Sequence, residues 1–115
     1  MKLGFARTLL GIAAAAALAG PAAAAGSAES GKAAFVRHGC WECHGYMGQG
    51  GVTGPRLAPE PIPFETLSAF VRTTNRNMPP FTEAVLSNDD LADIYAFLSS
   101  IPKGPSAASI PLLNQ

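Results

Sequence analysis

The pentapeptide CWECH at residues 40 to 44 constrains this chain more than any other feature, because it places two thiols and an imidazole within about one helical turn. A cysteine pair at this spacing, followed at once by histidine, fits three kinds of site: a redox-active disulfide, half of a metal site, or a covalent anchor for a prosthetic group. A purely structural disulfide is a poor alternative, since a bridge from Cys40 to Cys43 closes so short a loop that it removes little entropy from the unfolded chain. The motif therefore predicts chemistry, and other parts of the sequence have to decide which chemistry.

The first 25 residues are typical of a secretory signal peptide. A basic start precedes an uninterrupted apolar run at residues 9 to 19, LLGIAAAAALA, and the small residues Ala23 and Ala25 form an A-x-A cleavage site. The run is shorter than the ~20 residues that a membrane-spanning helix needs, and it consists mostly of alanine, which argues against an uncleaved anchor. We therefore expect export to the periplasm with cleavage after Ala25, while cleavage after Ala28 also fits the pattern.

Removal of this segment leaves about 90 residues, enough for one small domain. We assign residues 26 to 102 to that domain, and we assign residues 103 to 115, which contain two prolines, to a flexible tail. Two of the eight Lys and Arg residues leave with the signal peptide, so the mature chain is mildly acidic and offers no basic stripe to nucleic acid. A chain of this size buries only a modest core, and we expect a cofactor, a metal or a disulfide to help it fold.

Three helices and no strand are predicted, so the expected fold class is all-α. The first helix covers residues 30 to 39 and leads directly into Cys40, and the second covers residues 64 to 73. The third begins at Ser87, a good N-terminal cap that is followed by acidic residues, and it ends before Pro102. Its apolar stripe has helical spacing and is expected to face the core: Leu91, Ile94, Tyr95, Leu98 and Ile101.

Two long loops separate the predicted helices. Residues 45 to 63 hold five glycines and four prolines, and residues 74 to 82 form a second irregular segment. A long loop without secondary structure is unusual in a compact domain unless it wraps something functional. The loops therefore indicate that the domain is folded around a bound group.

Two of the three kinds of site fit this chain poorly. A thioredoxin-like redox pair follows a strand in a βαβ unit, whereas the segment before Cys40 is predicted to be helical. A structural zinc site needs four ligands, and the only Cys or His residue outside the motif is His38. Covalent attachment of haem remains, because each thiol can add to a vinyl group of the porphyrin while His44 reaches the iron. The predicted export strengthens this interpretation, since attachment of this type requires it.

A six-coordinate haem iron needs a second axial ligand from a distant part of the chain. Met47 lies three residues beyond His44 and stays on the same side of the haem, and His38 lies within the first helix, where a bis-histidine site is sterically awkward. Met78 lies between polar residues and a Pro-Pro pair, a context that suits a rigid presenting loop better than a core methionine. We predict Met78 as the second ligand, since Met/His ligation also raises the reduction potential.

With these features in place, the chain resembles the class I cytochrome c family over nearly all of its mature sequence. Three motifs carry the resemblance in the family's order: Cys40-Trp41-Glu42-Cys43-His44, Gly54-Pro55 and Met78-Pro79. The resemblance implies a fold of three main helices wrapped around one covalently attached haem c, with one haem per chain. It also implies that the carbonyl of Pro55 accepts the His44 N–H and that Leu57 packs on the haem.

The resemblance extends to the helices at the two ends of the domain. Gly31 and Phe35 match the family's first helix, Ile94 and Phe97 match its last helix, and in the family these helices cross at the glycine. Phe35 lies five residues before the first cysteine, where mitochondrial members have four, and many short bacterial members share this longer spacing. The short segment before Met78 is expected to leave one haem edge exposed, and the lysine-rich docking face of mitochondrial members is missing.

The sequence thus predicts a periplasmic monohaem electron carrier, not an enzyme. The predicted cofactor-binding residues, of which His44 and Met78 are the iron ligands, are Cys40, Cys43, His44, Met78, Pro55 and Leu57. The residues expected to be buried and to exclude water from the haem are Phe35, Leu57, Leu67, Phe70, Ile94 and Leu98. Arg56 or Arg76 is expected either to pair with a haem propionate or to be a solvated surface charge.

The expected partners are redox proteins: a dehydrogenase as donor, and an oxidase or another cytochrome as acceptor. We expect no nucleic acid and contact with the membrane only through partner complexes. Two alternatives remain open at this point. The chain is also consistent with a cytochrome subunit of a periplasmic dehydrogenase complex, and with a haem-based sensor in which a small ligand replaces a labile Met78.

Overall fold

The computed structural model describes residues 26 to 114. The predicted signal peptide, residues 1 to 25, and the last residue lie outside the described part. Four α-helices and two short 3-10 turns make up the regular structure of residues 26 to 114, in the order Ala28–Arg37 (α1), Cys40–His44 (α2), Phe64–Thr73 (α3), Asn88–Ser100 (α4), Ala107–Ser109 and Pro111–Leu113. These residues contain no strand, in agreement with the predicted all-α class. None of the described helices is long and apolar enough to cross a membrane.

Helix α1 is displaced from its predicted position by two residues at both ends. Its cap is Ser27, whose hydroxyl accepts a hydrogen bond from the N–H of Ser30 at 3.2 Å. The helix stops because Gly39 adopts a φ of +72°, a left-handed conformation that costs glycine little. The prediction that this helix leads directly into Cys40 is therefore wrong, and the motif instead forms the separate helix α2.

The other two predicted helices are confirmed. The bounds of α3 agree with the prediction, and α4 begins at the predicted cap, where the Ser87 hydroxyl accepts from the N–H of Asp90 at 3.0 Å. Asp89 and Asp90 lie in the first turn of α4, where the helix dipole favours negative charge. Local sequence signals were sufficient for both helices, because caps and flanking prolines act within a few residues.

Helices α1 and α4 pack backbone to backbone at Gly31. A Cβ atom on Gly31 would overlap the carbonyl of Asp93 and would lie 2.9 Å from the Cβ of Phe97. Beside this contact, the rings of Phe35 and Phe97 pack with their centroids 5.6 Å apart and their planes inclined by 57°, an arrangement that is favourable for aromatic pairs. The close helix crossing that the family resemblance implied is therefore present.

Replacing Gly31 by alanine is expected to lower the free energy of unfolding by about 1–3 kcal/mol, the usual cost of overpacking a rigid contact. The new methyl group would meet backbone atoms of Asp93, which cannot rotate away as a flexible side chain could. Gly104→Ala is the matched control, because nothing lies within 4 Å of a Cβ built at that position. Denaturant unfolding of the two variants measures the difference, and equal stability of Gly31→Ala and wild type would contradict the crossing described above.

The buried core collects residues from α1, α3, α4 and the loops. Its apolar members are Ala34, Phe35, Ala58, Leu67, Val71, Leu86, Leu91, Ile94, Phe97 and Leu98. Phe70 was expected to be buried, but it is 48% exposed, and Leu57 is only partly buried. The expectation for Phe70 is wrong: Leu67 and Val71, one turn apart on α3, are buried, whereas Phe70 is not. All three side chains line the cavity described below.

Beyond α4 the chain forms the two 3-10 turns, which contact each other but none of the described α-helices. Leu112 and Leu113 are exposed in the second turn. A salt bridge of 2.7 Å joins Lys103 to Glu60, but both side chains are exposed and such pairs contribute little. The flexibility of residues 103 to 115 stays a prediction.

Candidate haem site

A cavity of about 1340 Å³ lies between α2, α3, α4 and the two long loops. All six residues predicted to bind the cofactor line this cavity: Cys40, Cys43, His44, Pro55, Leu57 and Met78. Its volume exceeds the roughly 300–1,000 Å³ of ordinary small-molecule pockets. Seven of the ten buried apolar core residues also line it. The structure therefore brings the predicted residues together around a space large enough for a porphyrin.

Both thiols of the motif lie on the short helix α2 and are free. Cys40 is partly buried, whereas Cys43 is exposed. Burial raises the pKa of the Cys40 thiol to about 11, so this thiol is protonated at neutral pH. Because both cysteines line the cavity three residues apart, they are placed to form thioether bonds with one bound group.

His44 is held in a single orientation. The side chain is buried, and its Nδ1 lies 2.8 Å from the backbone oxygen of Pro55. Because a carbonyl oxygen can only accept, Nδ1 carries the proton and donates, which leaves the lone pair of Nε2 for a metal ion. Gly54 permits the close approach of this loop, since a Cβ there would lie 2.7 Å from the Cys43 oxygen and 3.0 Å from the Cε1 of His44.

His38, the rival candidate for the second axial position, is bound to α4. Its Nε2 lies 3.1 Å from Oδ2 of Asp90, and Oδ1 of the same carboxylate accepts from Arg37 at 2.9 Å. The hydrogen bond from His38, followed by that from Arg37, lowers the pKa of the Asp90 carboxyl. An imidazole that is held in this way at the end of α1 is a poor candidate for iron ligation.

Met78 is partly buried and lines the same cavity as His44. Its backbone oxygen accepts a long hydrogen bond, 3.5 Å, from the hydroxyl of the buried residue Thr74. Met47 is 41% exposed and does not line the cavity. Of the two methionines in the described part of the chain, Met78 is therefore the one placed to provide a thioether.

The other two kinds of site find no support in residues 26 to 114. No group of three or more His, Cys, Asp and Glu side chains in this range is arranged to hold a metal ion by itself. Within the described residues that precede α2, 26 to 39, there is no strand of the kind that a thioredoxin-like pair would require. The cavity is also lined by His38, but that imidazole is hydrogen-bonded to Asp90. The remaining donors are the imidazole of His44, the thioether of Met78 and the two free thiols, and this set fits haem c.

Sequence reasoning missed two residues around the site. Leu86 is buried and lines the cavity. It directly precedes the cap Ser87, and Leu91 lies at the fourth position of α4. Apolar residues at these two positions form the hydrophobic staple of a helix N-terminus, a sequence signal that could have identified Leu86. Arg72 has no such signal, because its hydrogen bonds join residues up to 16 positions apart.

Arg56 and Arg76 both line the cavity, and both are exposed. Neither forms an ion pair with another residue of the described range 26 to 114. Their position is compatible with pairing to a propionate and with a solvated charge, so the role of each stays a prediction.

Comparison with known proteins shows which family this sequence belongs to. The sequence model of the family described as "Cytochrome C oxidase, cbb3-type, subunit III" matches residues 26–98. The cytochrome bc1 complex cytochrome c subunit of Corynebacterium efficiens is 33% identical over 81 residues, which are 68% of this chain and 27% of that protein. The same subunit of Corynebacterium diphtheriae is 33% identical over 75 residues, 63% of this chain and 27% of that protein. The chain thus spans about a quarter of the length of these curated relatives. No solved structure matches it.

The family match covers more than half of the chain, from the start of the described part into α4. It includes the CWECH motif, the Gly54-Pro55 pair and Met78, which are the residues that line the cavity or shape it. Membership in this family implies covalently bound haem c and a role in electron transfer. The chain therefore belongs to the cytochrome c family, and its residues 26–98 form a c-type cytochrome domain of the kind found in subunit III of cbb3-type cytochrome c oxidases.

Proposed function

We propose that the chain is a periplasmic one-electron carrier in which a single haem c is attached to Cys40 and Cys43 and ligated by His44 and Met78. The observation that carries this proposal is the arrangement at the cavity. Two free thiols, an imidazole whose Nδ1 is held by Pro55, and the thioether of a distant methionine all line the same space. The presence of two cysteines in the whole sequence supports one haem per chain.

When bound, haem c supplies an iron that alternates between the ferrous and ferric states. The residues of the chain hold and shield this group. The two cysteines fasten its edge, and the carbonyl of Pro55 keeps His44 in one orientation and one tautomer. The thioether of Met78 raises the reduction potential. The apolar lining, which includes Phe35 and Leu98, excludes water.

A periplasmic location is supported by the signal-peptide pattern of residues 1 to 25. We propose redox proteins as partners, with a dehydrogenase as donor and an oxidase or another cytochrome as acceptor. The names of the relatives favour a second form of the proposal, in which the chain works as a cytochrome component of a membrane complex of the bc1 type. In either form the chain reaches the membrane through a partner complex.

Expression of the full chain, leader included, in a host that attaches haem c tests the proposal. We expect the periplasmic fraction to contain a protein whose mass equals the processed chain plus one haem. Its redox titration should follow a one-electron Nernst curve, and its ferric form should be low-spin. A high-spin ferric spectrum would rule out six-coordinate Met/His ligation and favour a ligand-binding sensor. Co-purification with a complex from native membranes would separate a subunit from a free carrier.

A further inference from the structure

Arg72, in the last turn of α3, binds three groups on the chain that leads from α3 into α4. Its Nη1 donates to the backbone oxygens of Phe81 at 2.8 Å and of Leu86 at 2.7 Å. Its Nη2 donates to Oδ1 of Asn88 at 2.9 Å. The three acceptors are uncharged, and no carboxylate within residues 26 to 114 pairs with this arginine. The guanidinium thus acts as a planar fork of donors, a geometry that lysine cannot reproduce.

The residue Phe81 is held at both of its backbone polar groups. Its N–H donates to the backbone oxygen of Val71 at 2.9 Å, and its carbonyl accepts from Arg72. Residues 74 to 80 therefore form a loop that starts at the end of α3 and is fastened back to the last turn of the same helix. Met78 lies inside this loop.

Only two prolines separate Met78 from Phe81. The pyrrolidine rings hold φ near −65°, so the connection between these residues has little conformational freedom. The hydrogen bond from Thr74 to the Met78 backbone, at 3.5 Å, is long and adds little restraint. We therefore expect Met78 to move when Phe81 moves, because the two prolines between them are too rigid to compensate for the displacement.

We propose that Arg72 is a positioning residue for Met78: by fastening the end of the 74–80 loop, it keeps the thioether at the cavity. This inference rests on the proposed function of Met78 as the second axial ligand. Without the hydrogen bonds of the Arg72 guanidinium, the 74–80 loop opens more often, which means that the Met78 thioether moves away from the iron. An added ligand then competes more successfully for the iron, because its apparent affinity rises in proportion to the fraction of molecules that are open.

Imidazole binding to the ferric holoprotein at one fixed pH tests this inference. We expect Arg72→Lys to raise the apparent imidazole affinity by about tenfold, and Arg72→Met to raise it further, as the open fraction grows. The absorption band that arises from the sulfur–iron bond should weaken in the same order, with unchanged haem content. Arg37→Lys is the matched control, since Arg37 is exposed and its hydrogen bond goes to Asp90, outside the loop. This control should bind imidazole as wild type does.

Two further variants separate the outcomes. Ser27→Ala removes the cap of α1 and lowers the stability of the protein without a change near the 74–80 loop. If Ser27→Ala raises the imidazole affinity as much as Arg72→Lys does, Arg72 acts only through general stability. The inference is then wrong. Met78→Ala in the same assay tests the proposed ligand itself, and a wild-type affinity there would overturn the Met78 assignment. A strong effect of Met78→Ala combined with wild-type affinity in the Arg72 variants would overturn the inference about Arg72 alone. If Arg72→Met does not fold, Arg72→Lys decides.

Discussion

Replacing Cys40 and Cys43 together by alanine is expected to yield an exported chain without haem and without a cooperative unfolding transition. Most of the buried apolar core also lines the cavity, so the group that binds there forms part of the core. A domain of this size buries limited apolar surface of its own, and folded domains have a net stability of only about 5–15 kcal/mol. The loss of the contacts to a porphyrin-sized group is expected to exceed this margin.

Calorimetry and near-UV circular dichroism of the double variant measure this effect. We expect no heat-absorption peak and no near-UV signal, because the side chains around the cavity lose their fixed packing. Cys43→Ala alone is the matched control, since one thiol and His44 remain to hold the haem and the domain should still unfold cooperatively. A double variant that melts cooperatively at the wild-type temperature would show that the chain folds independently of haem.

Replacing Met78 by alanine is expected to leave the haem covalently attached but to lower its reduction potential by an amount on the order of 100 mV, within the ~0.8 V range over which axial ligands tune haem iron. The cause is the loss of the thioether, a soft ligand that, paired with histidine, raises the potential. The sixth position should also become open, so that the ferrous protein binds added carbon monoxide. Spectroelectrochemistry and ligand titration measure the two effects.

Met47→Ala is the matched control for this experiment, because it removes the other methionine of the described chain. Met47 is exposed and does not line the cavity, so its replacement should change neither the potential nor ligand binding. A change in Met47→Ala and none in Met78→Ala would reverse the assignment. If wild type binds carbon monoxide as readily as Met78→Ala does, Met78 is not a firm ligand, and a ligand-binding sensor becomes the better interpretation.

Much of the helical structure could be predicted, because its signals are local. The cap at Ser87 and the bounds of α3 follow from residues that lie within one or two turns. The start of α1 was placed two residues late, since both Ser27 and Ser30 can cap a helix and only the fold selects the first. The end of α1 was also placed two residues late, at Gly39, because a glycine in a helical pattern can lie within the helix or mark its C-terminal cap.

The burial of individual side chains was harder to predict. Phe70 lies on the same apolar face of α3 as Leu67 and Val71, and periodicity assigns all three to the core. All three line the cavity, yet only Phe70 is largely exposed, and the periodicity of α3 does not indicate this difference. Arg72, which binds two backbone carbonyls and an asparagine side chain, looks like any other charged residue at a helix end.

The sequence by itself determined the chemistry of the site, because two thiols and an imidazole within five residues are recognisable without any tertiary contact. The family resemblance also implied the acceptor for His44, the carbonyl of Pro55, 11 residues along the chain. The tertiary structure decided contacts that no motif indicated, such as the binding of His38 to the carboxylate of Asp90, 52 residues away. Such contacts depend on the path of the whole chain, which includes the close packing of α1 on α4 at Gly31, and no local pattern encodes that path.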